Sequence, residues 1–479
     1  MSSLLWTSAV CALSMLAAGC AAVNPRAGFG DVQRLVSARA TLDVAWPADD
    51  AADQAIAATV TALLTEPLTA ESAMRIALLE NRGLRALYHE LGIAEAELAG
   101  AGLLPNPVLH ANVRLGLGPS GTGAELGLVQ DLIGALQIPL KKRVAGAKLA
   151  TAKLEVADAV LALAFDTKAT FYRLQGAQQM LELRRTVVRG AAASRQVAER
   201  QFAAGTITDL ALATEQALHE EATVELTIAE SAARADREDL NTLLGVVGDG
   251  ATWTTAPHLA ALPADALPDT TALEALALQQ RLDLEATRLR TASERAQYRL
   301  GSVYGLIPAA SLGSVAEHEV EGGWSVGPSL EIPIPLFDQS QAALAATTAR
   351  IAAGAERSTA LAVRIRADVR RARTRVDAAG ARAAHYQRTL LPLATRVTAA
   401  TQHEYNAMLA GVFQLLQAKR NEIDTGRRYV EALTDYWVAR TELERAVGGE
   451  LTLASAPVPS APAAEPTPVP ADHHHHHGG

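Results

Sequence analysis

Two stretches of alternating apolar and polar residues, each followed by a very long helical pattern, organise this chain. The first alternation runs from Val108 to Leu132, and the second falls within 309–333. Behind the first, apolar residues recur at helical spacing over Lys141–Phe202, a helix that would be about 90 Å long at 1.5 Å per residue. Apolar residues seven positions apart, such as Leu149 and Val156, favour helices wound around one another. The sequence therefore predicts long packed helices attached to β-hairpins.

The pattern occurs twice, so the fold class is mostly α with a small β part and an internal duplication of helix, β-hairpin, long helix, turn and helix. We predict a signal peptide at 1–19, an extended N-terminal arm at 20–66, a first repeat at 67–246, a connecting segment at 247–268, a second repeat at 269–447 and a disordered Pro/Ala-rich tail at 448–479. The predicted hairpins cover 107–133 and 309–333, the long helices cover 141–203, 206–244, 339–405 and 412–447, and the two helical turns cover 203–209 (the first tip) and 406–414 (the second tip).

Proline residues mark the expected ends of these elements. Leu104-Pro105-Asn106-Pro107 should stop the helix that opens near Thr69 and Ser72, and Ile138-Pro139-Leu140 should close the first hairpin. Ile334-Pro335-Leu336 repeats the latter motif, and Pro392 should interrupt the second long helix. We expect Thr270–Gly301 to form one helix equivalent to the one after Thr69.

Composition and charge exclude several classes of function. A net charge of −9 gives no reason to expect nucleic-acid binding. The body of the chain has no apolar run of eighteen residues, so entry into a membrane would require strands. No His-Glu-x-x-His, phosphate-binding glycine loop or Gly-x-Ser-x-Gly motif occurs, and we expect neither an enzyme nor a cofactor.

The first hairpin has one apolar and one polar face. Leu109, Val113 and Leu115 alternate with polar residues, which suits a membrane barrel with lipid outside and water inside, and equally suits a soluble, half-buried hairpin. In the barrel interpretation the lumen is lined by His110, Asn112, Arg114, Glu125, Asp131 and Glu331. Four strands cannot close a barrel, whereas three copies would supply twelve strands and a helical tube. This interpretation therefore predicts a homotrimer.

The N-terminus carries a targeting signal. Leu4–Ala18 is an apolar stretch that ends in Leu16-Ala17-Ala18-Gly19-Cys20, and small residues before a single cysteine resemble the bacterial lipobox. That resemblance implies cleavage before Cys20 and acylation of its thiol and new amino end. An ordinary secretory signal with an incidental cysteine is the alternative.

The order and duplication of these features resemble the TolC-like outer-membrane efflux factors across nearly the whole mature chain. The tips carry much of the resemblance, since one reads Gln201-Phe202-Ala203-Ala204-Gly205-Thr206-Ile207-Thr208-Asp209-Leu210 and the other reads Tyr405-Asn406-Ala407-Met408-Leu409-Ala410-Gly411-Val412-Phe413-Gln414-Leu415-Leu416-Gln417-Ala418. The family implies a trimeric, lipid-anchored duct from the outer membrane into the periplasm. It also implies docking through a periplasmic adaptor onto an inner-membrane RND-type transporter.

The resemblance assigns roles to residues of the two tips. Adaptor contact is expected at Gly205, Thr206, Asp209, Met408, Gly411 and Phe413, and a pore constriction is expected at Asp209, Gln414 and Gln417. Family members often have acidic residues where Gln414 and Gln417 stand, which argues against a cation-binding ring here. Met408 replaces glycine at the position that matches Gly205, so the second turn is expected to differ in geometry.

Two further features bear on cargo. The segment Gly426–Arg440 resembles factors from heavy-metal resistance systems, which suggests metal ions such as copper. The tail ends in His473, His474, His475, His476 and His477, which is either a weak metal-binding tract or a purification tag. The alternative to an exit duct is a periplasmic coiled-coil adaptor or scaffold lipoprotein, which needs long helices but no amphipathic hairpins.

Overall fold

Long helices joined to a small sheet make up the protein, which a computed structural model describes over residues 23–115, 122–248, 252–264, 267–306, 309–318 and 322–451. The helices are α1 (Phe29–Ser37), α2 (Asp50–Thr65), α3 (Ala70–Glu80), α4 (Arg82–Gly100), α5 (Leu132–Ala203), α6 (Asp209–Leu244), α7 (Thr270–Gln280), α8 (Leu282–Tyr304), α9 (Gln341–His385), α10 (Leu391–Asn406) and α11 (Val412–Val447). The strands are β1 (Val108–Leu115), β2 (Thr122–Asp131), β3 (Ser311–His318) and β4 (Trp324–Glu331).

The order of elements contains the predicted duplication. The first repeat is α3, α4, β1, β2, α5 and α6, and the second is α7, α8, β3, β4, α9 with α10, and α11. With 72 residues, α5 is about 108 Å long at 1.5 Å per residue. No helix in the described ranges is both long enough and apolar enough to cross a membrane.

Each repeat contains a helix break that the sequence analysis missed. The helix expected to run from Thr69 to Gly100 opens with the predicted Thr69–Ser72 capping box, but it breaks at Asn81. Its counterpart breaks at Arg281 in the same extended conformation. The breaks coincide with the ends of other helices, because the Asn81 side-chain amide donates to the Leu243 carbonyl at the end of α6. At the end of α11, a Cβ on Gly448 would lie 3.2 Å from the Arg281 side chain.

Two continuous and two jointed helical rods result from these breaks. The start of α4 meets the end of α6 at the first joint, and the start of α8 meets the end of α11 at the second. Gly245 (φ 72°) and Gly448 (φ 90°) end the lower helices in the left-handed conformation that glycine adopts without strain. The unbroken rods are α5 and α9–α10, which pack beside the jointed rods along their length.

Proline affects the two long rods differently from the prediction. Helix α5 begins at Leu132 because the Asp131 carboxylate accepts from the Gly134 amide, and it continues through Pro139, which was expected to precede it. The second rod starts later than expected, at Gln341, after Ser340 in a left-handed conformation. Ahead of Pro392, the rod passes through a π-helical turn at Tyr386–Leu390 and then continues.

The N-terminal segment folds against the rods and is not extended, which corrects the expectation for 20–66. Helix α1 buries Phe29, Val32 and Val36 against α4 and α5, and α2 packs on α3. Phe29 meets Tyr88 edge to face, with ring centroids 5.0 Å apart. The spacing of three and four residues between these apolar positions is a helical signal, but nine residues are too few to stand out in the sequence.

The connecting segment lies across the middle of the rods. Trp253 is buried there and donates from Nε1 to the Asn241 carboxamide, while the Arg237 guanidinium lies 4.0 Å from the indole centroid. Leu68 pairs with Thr255 in a parallel bridge, which ties this segment to the start of the first repeat. Helix α7 follows and packs on α9 and α11. The connecting segment and α7 together form a belt across the rods.

Candidate functional site

The four strands form one antiparallel sheet in the order β1-β2-β3-β4, which joins the hairpins of both repeats. Leu126 of β2 pairs with Ala316 of β3, and Glu125 pairs with Glu317. Since directly paired residues share a face, the register divides the sheet into two faces of opposite character. Strands β1 and β4 are the edges, and neither is paired on its outer side among the described residues.

The apolar face of the sheet is open to the surroundings. Leu109 is 71 % exposed, and Leu115 and Val326 are each 75 % exposed. The apolar residues on this face are Leu109, Ala111, Val113, Leu115, Ala124, Leu126, Leu128, Leu312, Ala316, Trp324, Val326, Pro328 and Leu330, and the register also places Thr122, Gln130, Ser314 and His318 there. A soluble half-buried hairpin would cover this face with the rest of the chain, so the structure removes that alternative for the isolated chain.

The polar face brings the predicted lumen residues together. His110, Asn112, Arg114, Glu125, Asp131 and Glu331 all lie on it, by the pairing of the strands. Arg114 Nη2 lies 3.2 Å from Glu125 and 3.1 Å from Glu317, so one guanidinium links three strands. His110 Nε2 lies 3.8 Å from Glu125. Asp131 has a second task that was not predicted, since its carboxylate caps α5.

Glu317 belongs to this polar face and was missed by the sequence analysis. Its strand alternates poorly because Val315, an apolar residue, also lies on the polar face, opposite Gly127 and Gly327. The side chain of Val315 therefore stands between two residues that have none. Register across β2 and β3 depends on contacts between the repeats, so the pairing of Glu317 with Glu125 has no local signal in the sequence.

The two tips have the same turn geometry, which corrects the expectation that they differ. Gly205 (φ 71°) donates its amide to the Phe202 carbonyl at 2.9 Å, and Met408 (φ 59°) donates to the Tyr405 carbonyl at 3.0 Å. The following amides, Thr206 and Leu409, return to the carbonyls five residues back in both turns. The hydrogen bonds that end each helix enforce this conformation, and Met408 adopts it despite its Cβ.

Two of the predicted constriction residues make hydrogen bonds within α11 and its N-terminal cap, and the third begins α6. The Gln414 side chain accepts from the Gly411 amide at 3.0 Å and so caps α11, and Gln417 donates to Asn421 one turn further. Asp209 is the exposed first residue of α6, where a carboxylate favours the helix dipole. The structure thus assigns capping or helix-end positions to Gln414 and Asp209, and leaves a pore role for them as a prediction.

Apolar side chains dominate the outer surface of the tips. Met408 is 95 % exposed, and Leu409 and Leu210 are also strongly exposed. Phe413 is half-buried, while Thr206 donates its hydroxyl to the Gln201 carbonyl. The residues expected to meet an adaptor are therefore gathered at one end of the rods, far from the sheet.

Above the tips, a buried polar cluster joins three helices. Glu215 of α6 accepts from the Ser194 hydroxyl of α5, and its Oε2 lies 2.7 Å from Arg420 Nη2 of α11. No local sequence signal predicts this cluster, since the partners of Glu215 are 21 and 205 residues away. Cys20 and the terminal histidines lie outside the described residues, and among those described no group of three or more His, Cys, Asp or Glu could hold a metal.

Comparison with known proteins agrees with this architecture. The profile of the family "Outer membrane efflux protein" matches residues 273–449, which is nearly the whole second repeat. Residues 273–449 thus match an outer membrane efflux domain. The resemblance predicted from the tips and hairpins is thereby confirmed, and so is a function in outer-membrane efflux.

Relatives and solved structures extend the match along the chain. The cobalt-zinc-cadmium resistance protein CzcC of Cupriavidus metallidurans is 27% identical over 399 residues, covering 80% of this chain and 90% of CzcC. A membrane protein from Pseudomonas aeruginosa has a TM-score of 0.66 at 19% identity, covering 79% of this chain and 92% of that one. CusC, studied for transmembrane channel formation, gives a TM-score of 0.64 at 17% identity with the same coverages. These likenesses establish the fold over most of the chain.

Proposed function

We propose that three copies of this chain assemble into an exit duct, in which twelve strands close a barrel in the outer membrane and the helical rods form a tube below it. The observation that carries the proposal is the sheet, with an exposed apolar face, a charged opposite face and two open edges. In lipid, unpaired edges are too costly to persist, and closure through neighbouring copies removes them. Polar residues on the other face then line a wet lumen.

The length of the rods supports a path that continues well beyond the membrane. Helix α5 leaves the sheet at Leu132 and ends at the first tip about 108 Å away, whereas a bilayer core is about 30 Å thick. We infer that the tips contact a periplasmic adaptor through Gly205, Met408 and their exposed apolar neighbours, and that an inner-membrane RND-type transporter supplies the energy. Acylation of Cys20 would anchor each copy to the outer membrane.

The cargo is inferred from the relative. CzcC carries cobalt, zinc and cadmium in its name, so we propose heavy-metal ions as cargo of the pump that this chain serves. Copper, the metal suggested by the sequence, has no specific support. Growth of a deletion strain on graded cobalt, zinc, cadmium and copper tests this point, and equal tolerance to all four in the presence and absence of the gene would refute a metal cargo.

A channel and a scaffold lipoprotein differ in two measurements. An exit duct should migrate as a heat-modifiable trimer on gels and should give discrete conductance steps in planar bilayers. A periplasmic adaptor or scaffold would give neither. Loss of both properties in the full-length, detergent-purified protein would contradict the proposal.

A further inference from the structure

Helix α9 carries a row of arginines at a spacing of seven residues. Arg350, Arg357, Arg364 and Arg371 are all exposed, and Arg375 continues the row one turn later. Seven residues are nearly two helical turns, so these side chains share one face over a length of about 32 Å. Such a regular row of one charge is unusual on a solvated helix, where both signs normally alternate.

The arginine row lies opposite the belt that covers the middle of the protein. Arg370 contacts Glu274 of α7 at 3.0 Å, and Arg373 donates to the carbonyl of Pro268. Arg371 and Arg375 each lie two positions from Arg373, and residues two positions apart in a helix point about 200° apart. Arg371 and Arg375 therefore face away from α7. The arginine row therefore occupies the side of the rods that the belt leaves open.

Two grooves lie along this open side, with α5 and α9 as walls. The upper groove has a volume of about 700 Å³ and a floor formed by α8, while the lower groove, of about 450 Å³, lies over the joint between α8 and α11. The charged residues of the upper groove are Lys148, Glu155, Arg290, Glu294, Arg350 and Arg357. Those of the lower groove are Asp158, Arg281, Arg364, Asp368, Arg371, Arg375, Glu442 and Arg445.

Positive charge is in excess in both grooves. Together they contain nine basic and five acidic side chains, in a chain whose net charge is −9. In the lower groove the arginines are paired, as Arg375 is with Glu442 at 3.0 Å. In the upper groove Arg290 pairs with Glu155, whereas no acidic partner contacts Lys148, Arg350 or Arg357 among the described residues. Burial raises the pKa of the Asp158 carboxyl in the lower groove.

We propose that the grooves line the conduit and make it selective for anions, with Lys148, Arg350 and Arg357 forming a binding site for small multivalent anions. The inference rests on the proposed channel function, because only assembly into a tube turns this open side into a lumen. Asp283 and Asp166, just outside the grooves, pair with Arg281 and Arg445, so the nine basic residues face seven acidic ones and three copies would present about six excess positive charges to the lumen.

The reversal potential of the full-length protein in planar bilayers tests the proposal directly. Across a gradient from 0.1 M to about 0.5 M KCl, the wild-type pore should favour chloride over potassium, and the preference should shrink near 1 M, where the Debye length falls to about 3 Å. Tripolyphosphate should reduce the current at low salt. The double variant Arg350→Glu/Arg357→Glu should lower the chloride-to-potassium permeability ratio by about twofold or more and should abolish the tripolyphosphate effect.

Arg366 provides a matched control on the same helix. It is exposed and lies about 200° around α9 from Arg364, so Arg366→Glu makes the charge change of one of the two groove substitutions on the other side of the helix. Its reversal potential should equal that of the wild type. The milder pair Arg350→Gln/Arg357→Gln should shift selectivity in the same direction if the charge-reversed variant does not assemble.

The outcomes separate this inference from the proposed function. Pores that prefer potassium, or whose selectivity is equal in the wild type and both Arg350/Arg357 variants, would overturn the anion site while leaving the channel intact. If both Arg350/Arg357 variants fail to trimerise while Arg366→Glu assembles, the arginine row lies at a contact between copies. That result would also overturn the inferred anion site. Absence of any conductance in the wild type would contradict the proposed function, and with it this inference.

Discussion

Arg420 of α11 and Glu215 of α6 form an ion pair, with Nη2 2.7 Å from Oε2, that links the lower halves of the two repeats. Only 7 % of the Glu215 surface is exposed, and its carboxylate also accepts from Ser194 of α5. A carboxylate with so little exposure to solvent is stabilised mainly by its charged and hydrogen-bonding partners. The cluster thus fixes α5, α6 and α11 relative to one another near the tips.

Glu215→Gln should therefore loosen the lower rods. The guanidinium of Arg420 would remain partly buried without a carboxylate, at a cost of about 2–3 kcal/mol. Hydrogen exchange of the α6 and α11 amides near the cluster should accelerate at least tenfold, since about 1.4 kcal/mol corresponds to that factor. The control is Arg428→Ala, which removes an exposed pair with Asp424 worth about 0–1 kcal/mol. Equal amide exchange rates in the two variants would show that the buried ion pair does not stabilise the packing of these helices.

Gly176 should be intolerant of a side chain. A Cβ there would lie 2.1 Å from the Thr434 hydroxyl of α11, so Gly176→Ala forces α5 and α11 apart and should cost about 1–3 kcal/mol in unfolding. Gly190 of the same helix has open space and should gain about 0.5–1 kcal/mol on replacement by alanine. Adding Thr434→Ala to Gly176→Ala should restore much of the loss. Thermal unfolding of the wild type, the three single variants Gly176→Ala, Gly190→Ala and Thr434→Ala, and the double variant measures this, and additive effects of Gly176→Ala and Thr434→Ala would disprove the clash.

Met408→Gly should stabilise the second tip. A residue with a Cβ pays about 1–2 kcal/mol in the left-handed region, and Met408 loses almost no packing because its side chain is solvated. Leu409→Gly is the control, since that exposed neighbour is outside the left-handed region and should lose about 0.5–1 kcal/mol through backbone entropy. Limited proteolysis of the tip should slow for the first variant and speed up for the second. The reverse order would contradict the turn geometry.

Charge on the apolar face of the sheet should prevent insertion. Val326→Arg places a guanidinium toward lipid in each copy, at about 2–4 kcal/mol per arginine near the bilayer midplane. Ser325→Arg changes the adjacent residue on the polar face, beside Glu317, and should be tolerated. The first variant should lose the heat-modifiable trimer from outer-membrane fractions and the second should keep it. Retention of the trimer in both variants would mean that the apolar face does not meet lipid.

Period and spacing were enough to predict the duplicated fold. The alternation of Leu109 to Leu115 gave a strand with two faces, and the long helical pattern gave α5, because both signals depend on neighbours within a few residues. The tips were located from sequence for the same reason. Proline signals were less dependable, since Pro139 lies inside α5, where Asp131 had already started the helix.

Features set by contacts between the repeats could not be read from the sequence. The breaks at Asn81 and Arg281 exist because the ends of α6 and α11 occupy the space below them. Glu317 and the Glu215–Arg420 pair depend on register between segments hundreds of residues apart. The arginine row on α9 is the exception, because its seven-residue spacing is visible in the sequence and was overlooked among the apolar heptads.

The joints at Gly245 and Gly448 distinguish the two jointed helical rods from the two continuous ones. Helix α5 runs unbroken from the sheet to the first tip, and the α9–α10 rod runs from Gln341 to the second tip, so both act as stiff members of fixed length. Helices α6 and α11 each end at mid-height in a left-handed glycine, where a change of backbone angle costs little. A partner that displaced the tips would therefore bend the jointed rods most easily at these two glycines.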